Sequence, residues 1–194
     1  MTLVPTLFKD INPGSDGSFP SEFIEFDGQL IFTAEDGITD TELWVTDGTA
    51  VGTQLLADVN PGLGGSSPSQ FAEFNGQLVF TAFDSTNGTE PWITDGTTAG
   101  TQLLANISVA GSSFPRNFTE LNGQLVFRAG DGNSGDEVWI TDGTTAGTQL
   151  LADINPSGGS FPGEFTESNG QLFFRASEST TGIELWVTDG TTAG

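Results

Sequence analysis

The chain of 194 residues contains no cysteine and no histidine. Disulfide bonds, zinc–thiolate sites, thiol nucleophiles and imidazole bases are therefore excluded. Most familiar hydrolase and metalloenzyme mechanisms depend on one of these groups. The side-chain chemistry that remains is that of carboxylates and hydroxyls.

Positive charge is scarce as well, since 26 acidic residues face four basic ones and the net charge is -22. Binding to phosphates needs clustered lysine and arginine, so nucleic acid does not fit as a partner, and an anionic membrane surface is disfavoured. The acidic field favours cations, or it serves only to keep the protein soluble. The basic residues are Lys9, Arg116, Arg128 and Arg175.

Long apolar runs are missing too. No stretch of about 18 apolar residues is present, so we expect no membrane insertion. Residues 1–11 lack the basic start and the apolar stretch of a secretory signal. A location outside the cytoplasm or on the cell surface, which we favour on other grounds below, would therefore depend on another export signal or on excision from a longer protein.

Aromatic residues are plentiful, and the four tryptophans are regularly spaced. Intervals of 48, 47 and 47 residues separate them, and each opens the phrase Trp, Val or Ile, Thr, Asp, Gly, Thr. A period in the forties is typical of repeats that bury their apolar faces against one another. We expect one domain over 1–194, built on repeats at about 12–59, 60–106, 107–154, and 155–194 plus 3–11. The tryptophans are Trp44, Trp92, Trp139 and Trp186.

Each repeat predicts a β-hairpin. In the first, runs at 23–26 and 29–34 flank Asp27-Gly28, and later copies carry Asn-Gly, which favours type I′ turns. A seven-residue loop, a third strand near 42–45 and a fourth over 53–59 follow, and a long connection leads to the next repeat. The predicted loops are 35–41, 83–89, 130–136 and 177–183.

This wiring is typical of a β-propeller blade. We therefore predict an all-β fold, a propeller of four blades of four antiparallel strands. Residues 3–11 match the fourth strand missing from the last repeat, so we expect this N-terminal strand to complete the last blade and close the ring. The alternatives are two chains forming an eight-bladed ring, or a piece of a longer array; a monomer is favoured over a homodimer. Pro91, at the start of a third strand, is expected to weaken that ladder.

The recurring phrase resembles a known motif. Residues 42–53, Glu-Leu-Trp-Val-Thr-Asp-Gly-Thr-Ala-Val-Gly-Thr, and the matching phrase at 184–194 resemble the ELWxxDGT repeat of bacterial tandem-repeat proteins. The likeness covers essentially the whole chain and departs at Pro91 and Val138. It implies a β-propeller-like repeat protein, commonly on the surface or secreted, and it implies no reaction. Four such blades are also similar in shape to hemopexin-like domains, which bind ions along a central channel.

Two sets of carboxylates recur once per repeat. In the Asp-Gly turn we expect each aspartate to cap nearby backbone N–H groups, the alternative being a calcium ligand. On the predicted inner strand four glutamates would approach one axis of a closed ring, where they would repel unless they bind a cation, take up protons or tilt into solvent. The turn set is Asp47, Asp95, Asp142 and Asp189; the axial set, our candidate metal site, is Glu25, Glu73, Glu120 and Glu167.

Loops that vary among the repeats are expected together on one face, where recognition on a rigid scaffold usually lies. Their phenylalanines offer an apolar platform, and their carboxylates offer hydrogen bonds to a glycan or ligands to calcium; the alternative is a solvated acidic rim. The candidates are Phe19, Phe114, Phe161, Asp36, Asp40, Asp84, Asp131, Asp136 and Glu178.

These features favour a non-catalytic binding or scaffold propeller that recognises a glycan, a protein or divalent cations. No cofactor is required, and calcium is an optional ligand. A carboxylate-based glycoside hydrolase is the first alternative, although no catalytic residues stand out because the repeats are alike. A structural spacer in an extracellular array is the second.

Overall fold

The computed structural model describes residues 4–62 and 64–192, and this part of the chain forms four antiparallel sheets, which we call blades 1 to 4. It contains no helix long and apolar enough to span a membrane. Blade 1 comprises β1 (Ser21–Phe26), β2 (Gln29–Glu35), β3 (Thr41–Thr46) and β4 (Gln54–Ala57). Blade 2 comprises β5 (Ser69–Phe74), β6 (Gln77–Asp84), β7 (Gly88–Thr94) and β8 (Gln102–Leu103). Blade 3 comprises β9 (Arg116–Leu121), β10 (Gln124–Gly130), β11 (Asp136–Thr141) and β12 (Gln149–Ala152), and blade 4 comprises β13 (Gly163–Ser168), β14 (Gln171–Glu178) and β15 (Gly182–Thr188).

The first two strands of every blade are joined by the expected two-residue turn. Asp27 and Gly28 have φ angles of 48° and 73°, and the three Asn-Gly copies are also positive at both residues. Only type I′ turns need two positive φ angles in succession, so the hairpin prediction is confirmed. Each first strand also carries an irregularity that the sequence did not predict: the register shifts between Ser21 and Ile24 and at the equivalent places in β5, β9 and β13.

The loops after the second strands are shorter than the seven residues predicted. In blade 2 the ladder continues to the pair Asp84↔Gly88, and in blade 4 to Glu178↔Gly182. Residues that we predicted to be loop therefore pair with each other across the hairpin and lengthen both strands. Pro91 has the expected effect: β8 has only two residues, because proline offers no N–H to the outer strand.

The apolar core lies between neighbouring blades. Ile31 and Leu43 of blade 1 form one buried cluster with Leu78 and Phe80 of blade 2, and Trp92 packs against it. Equivalent clusters lie between blades 2 and 3 and between blades 3 and 4. The inner strands contact one another in the order β1, β5, β9, β13.

A threonine hydroxyl also links successive blades. Thr98 Oγ1 in blade 2 donates to the Leu56 carbonyl in blade 1 (2.6 Å), and Thr145 Oγ1 in blade 3 donates to the Leu104 carbonyl in blade 2 (2.7 Å). Blade 1 has Ala50 at this position and cannot make the bond.

The expected closure of the ring by residues 3–11 is wrong for the described residues, and Leu3 lies outside them. Residues 4–11 form no strand, and blade 4 has three strands rather than four. The segment lies against blade 1, where Ile11 packs on Phe32 and Trp44 and Lys9 Nζ donates to the Ala50 carbonyl (3.2 Å). Among the described strands, no contact comparable to those between successive blades joins β13 to β1, so the four sheets form an open series.

Candidate functional site

The variable loops lie on one face, as the strand directions require. The connection from one blade to the next runs against the loop before the third strand: the Ser67 N–H donates to the Thr41 carbonyl (3.1 Å) and the Phe161 N–H to the Asp136 carbonyl (3.0 Å). The Phe83 N–H then ties the second strand to Ser66 of the same connection (2.8 Å). We call this surface the loop face.

Three phenylalanines stand out on the loop face. Phe19, Phe114 and Phe161 are 70%, 56% and 56% exposed, and their φ angles are 42°, 48° and 50°. A bulky residue in this left-handed region is an outlier that costs about 1–3 kcal/mol and concentrates at functional sites. The fourth repeat position holds Ser67 with the same backbone conformation, at φ 46°. The fold therefore fixes one projecting position per blade, and three of the four carry an aromatic ring.

The loop carboxylates, by contrast, are occupied by their own loops. Asp36 Oδ1 accepts from the N–H groups of Ile38 and Thr39, both at 2.8 Å, and the same position in the other loops holds an acid with the same role. Alignment of the four loops in the sequence would have revealed this recurrence. The equivalent acids are Asp84, which is buried, Asp131 and Glu178. Asp40 likewise accepts from the Thr41 N–H (3.0 Å).

Asp136 is the centre of a small ionic cluster. It accepts from Arg116 Nη2 (2.8 Å) and Arg128 Nε (2.7 Å), and the Arg128 guanidinium lies 5.1 Å from the centroid of the Phe161 ring. A cavity of about 250 Å³ opens beside that ring, and exposed Arg175 also lines it. Three of the four basic residues of this acidic chain thus lie near one loop-face phenylalanine, an arrangement that the scattered sequence positions did not predict.

Each of the four recurring turn aspartates accepts the expected hydrogen bonds from its own turn. Asp47 Oδ1 accepts from the Thr49 N–H (2.9 Å) and from the Thr49 hydroxyl (2.7 Å), and these bonds lower the pKa of the carboxyl below its usual value. The carboxylate lies so close to Gly52 that a Cβ there would meet it at 2.0 Å, which explains the invariant glycine of the phrase. Asp95, Asp142 and Asp189 make the same bonds.

The structure does not bring the four axial candidates together. Glu25, Glu73, Glu120 and Glu167 are exposed on their strands. Within the described ranges no group of three acidic residues could hold a metal ion. The reason is the open series of blades, since convergence on one axis required a closed four-bladed ring.

A different set of glutamates, at the start of the recurring phrase, is buried. Glu42 is fully buried and accepts from the Val59 N–H (3.0 Å) and from the N–H (2.7 Å) and the hydroxyl of Ser66, which fastens the connection between blades 1 and 2. Burial raises the pKa of this carboxyl, although the hydrogen bonds oppose the shift. The equivalents are Glu90 with Ile107 and Ser113, and Glu137 with Ile154 and Ser160. Sequence reasoning assigned no role to these residues.

These two sets of carboxylates predict how stability depends on pH. The raised pKa values of Glu42, Glu90 and Glu137 mean that their contribution is complete below the ordinary value of 4.5 and is lost as the pH rises through the raised values. The turn aspartates contribute above the ordinary 3.8 and lose that contribution as the pH falls through their lowered values. We expect the thermal midpoint to be higher at about pH 5 than at about pH 8. As the pH is lowered further, below about 3.5, we expect the midpoint to decrease again.

Salt is needed to isolate this effect, because a net charge of -22 is itself relieved at low pH. The melts should therefore be run at high ionic strength, about 0.5 M, where surface repulsion is screened. A midpoint that stays constant between pH 5 and pH 8 under these conditions would contradict the effect attributed to the buried glutamates.

Solved structures resemble this arrangement of sheets. Puromycin hydrolase superposes with a TM-score of 0.59 at 17% identity, over 90% of this chain and 28% of that chain. The acylaminoacyl peptidase of Pyrococcus horikoshii gives 0.54 at 13% identity, over 89% and 26%, and a candidate TolB from Agrobacterium tumefaciens gives 0.52 at 10%, over 93% and 66%. Neither a protein-family model nor a curated protein matches the sequence.

These neighbours show the fold alone. The chain is an all-β protein of propeller-like architecture, with successive antiparallel sheets in the manner of the peptidase β-propellers. It spans only about a quarter of the length of the first two neighbours.

Proposed function

We propose that this chain is a non-catalytic binding module that acts outside the cytoplasm and takes up a glycan on its loop face. The observation that carries the proposal is the exposed phenylalanine held in a left-handed backbone conformation in three of the four repeats. A residue of this kind is retained against strain when its side chain is needed where it stands.

The surroundings of these rings suit a sugar better than a protein. One blade lies between Phe114 and Phe161, and two blades lie between Phe19 and Phe114, and each ring is flanked by serine and proline. Protein hot spots, by contrast, cluster in one desolvated patch. The rings of Phe19 and Phe161 lie over Gly17 and Gly159, where a Cβ would come within 3.3 and 3.2 Å of them, so each ring has a fixed orientation. Beside Phe161, Arg128 and Arg175 offer planar hydrogen-bond donors to sugar oxygens.

The absence of catalysis is part of the proposal. A glycosidase needs a carboxylic acid of raised pKa near a second carboxylate, both open to substrate. Among the described residues the carboxyls of raised pKa are Glu42, Glu90 and Glu137, and each is buried and hydrogen-bonded to the connection between blades. The loop-face acids are held within their own loops or by arginine, which favours a structural role for both sets.

A glycan array with a matched variant tests the proposal. The variant replaces Phe19, Phe114 and Phe161 by asparagine, which tolerates positive φ and so preserves the backbone while removing the rings. We expect the unmodified chain to bind a defined glycan class and the variant to lose about tenfold or more in affinity, because each stacked ring is worth roughly 0.5–1.5 kcal/mol.

The control is Val51→Ala, which removes an exposed apolar side chain from the opposite face and creates the residue present at Ala99 and Ala146. It should bind as the unmodified chain does. Binding that survives the triple substitution, or an array with no bound glycan, would contradict the proposal. Turnover of aryl glycosides that one carboxylate substitution abolishes would favour the hydrolase instead.

A further inference from the structure

Blade 4 leaves one face without a partner, and we call it the tail face. Leu185 and Val187 on β15 are 76% and 45% exposed, whereas the equivalent Leu43 and Val45 in blade 1 are 0% and 3% exposed, buried against blade 2. No described strand pairs with the outer edge of β15. The tail face therefore carries the apolar residues that are buried between blades elsewhere, but here they are exposed to solvent. An exposed apolar surface beside an unpaired strand edge indicates an interaction site.

Blade 1 leaves the complementary face open, and we call it the head face. Phe23, Leu30 and Phe32 line a cavity of about 610 Å³ together with Leu7 and Phe8 of the N-terminal segment. In blade 2 the equivalent side chains Leu78 and Phe80 pack on blade 1.

The N-terminal segment already lies where an outer strand belongs. Ile11 packs on Phe32 and Trp44 of the head face, just as Leu56 and Val59, at the outer edge of blade 1, pack on blade 2. The sequence agrees, because residues 6–14 align with 54–62. The head face thus carries a segment equivalent in sequence and position to a fourth strand, without the three strands of the blade to which such a strand would belong.

The two ends also divide one hydrogen-bond cluster between them. Ser18 occupies the place of Ser66, and its carbonyl accepts from the Glu35 N–H (2.8 Å) as the Ser66 carbonyl accepts from Phe83. Yet no described residue accepts a hydrogen bond from the Ser18 hydroxyl. In the other three junctions the equivalent serine donates to a buried glutamate, and the fourth copy of that glutamate is Glu184. Glu184 is exposed, and although its backbone pairs with Ala176 in the ladder, its carboxylate accepts no hydrogen bond from any described residue. One end therefore holds the donors and the other holds the acceptor.

Because the blades form an open series, the partner of the tail face comes from a second copy of the chain. The inner strands meet in order from β1 to β13 without a comparable contact between the two terminal blades, and Leu185 stays 76% exposed, so the head face of the same chain does not cover the tail face. Two copies related by a twofold axis satisfy both ends at once, because each head then meets the other tail and no edge remains.

We propose that two copies of this chain associate head to tail into a closed ring of eight blades, in which residues 6–11 of each copy add to β15 of the other as its fourth strand. Glu184 of one copy then accepts from the Ile11 N–H and from Ser18 of the other. The proposal is independent of the glycan proposal, because it uses the edges of the array rather than the loop face.

Mass in solution is the first test, made on the 194-residue chain by light scattering. We expect a particle of twice the chain mass of 20.3 kDa. A single-chain mass would overturn the proposal, and so would a series of growing oligomers, which would show that the contact repeats without closing.

A disulfide test identifies the contact itself, since the chain has no cysteine of its own. By the register of blade 1, in which Val45 pairs with Gln54, Thr6 should pair with Val187. The single variants Thr6→Cys and Val187→Cys, mixed and oxidised, should give a covalent dimer containing one of each. Val109→Cys, which is also exposed (86%) but lies between blades 2 and 3, should not link to Val187→Cys. The contrary outcome uses the double variant Thr6→Cys/Val187→Cys. If the mixed single variants give no covalent dimer, and the double variant forms a disulfide within one chain, then each chain closes its own ring and the second copy is excluded.

The glutamate is tested by comparing Glu184→Ala with Glu73→Ala, which removes the same charge from an exposed position in blade 2. We expect Glu184→Ala to weaken the dimer by about tenfold or more, because charge-assisted hydrogen bonds are lost at both junctions. Glu73→Ala should change it by less than about twofold. Circular dichroism confirms that each variant is folded, and equal dimer affinity for both would overturn the assignment of Glu184.

Discussion

Urea unfolding of the Glu137→Ala variant is expected to show a loss of about 3–5 kcal/mol in the free energy of unfolding. Three donors lose their acceptor at once: the Ile154 N–H and the N–H and hydroxyl of Ser160. Each buried donor left without a partner costs about 1–3 kcal/mol, and part of the total is offset because a carboxyl of raised pKa is no longer buried.

Two variants define the origin of this loss. Glu137→Gln keeps the volume and one acceptor oxygen but turns an NH₂ group toward the remaining donors, so we expect an intermediate effect. Glu120→Ala, in the same blade but exposed, should change stability by less than about 0.5 kcal/mol. A loss for Glu137→Ala as small as that for Glu120→Ala would refute the role of this residue in fastening blade 3 to its connection.

The Phe80→Ala variant is expected to lose a similar amount, about 3–5 kcal/mol, for a different reason. Phe80 is fully buried between blades 1 and 2, and its ring centroid lies 5.6 Å from that of Phe71. Truncation removes the apolar contacts and leaves a cavity that rigid flanking sheets cannot fill.

The matched control is Phe83→Ala, three residues along the same strand, where the ring is 38% exposed. It should cost less than about 1.5 kcal/mol. Unfolding is best followed by both tryptophan fluorescence and circular dichroism, because loss of one interface in a repeat array can separate the transitions of neighbouring blades. Equal losses at both positions would show that burial between the blades is not what holds them together.

The sequence was a good guide wherever structure depends on local chemistry. The Asp-Gly and Asn-Gly turns predicted the hairpins, because positive φ at two successive residues is a property of those residues alone. Pro91 predicted the short outer strand of blade 2 for the same kind of reason. The aspartate turn followed from the preference of Asp for backbone N–H groups nearby.

Prediction failed where a residue depends on distant parts of the chain. Glu42 is buried because Ser66, 24 residues away, returns to meet it, and nothing near Glu42 in the sequence indicates this. The axial glutamates were placed by assuming a closed ring, and the closure expected from residues 3–11 depended on the angle between blades. That angle is set by side-chain packing between neighbouring sheets, and it cannot be predicted from the repeat pattern alone.

The threonine bond between blades affects how such an array could lengthen. Thr98 and Thr145 each supply the hydroxyl that ties their own blade to the one before, while Ala50 leaves the first repeat without it. A duplication of the second or third repeat would carry its own link and fit at any interior position. A copy of the first repeat inserted there would interrupt the chain of links, so duplication of the second or third repeat is favoured over duplication of the first.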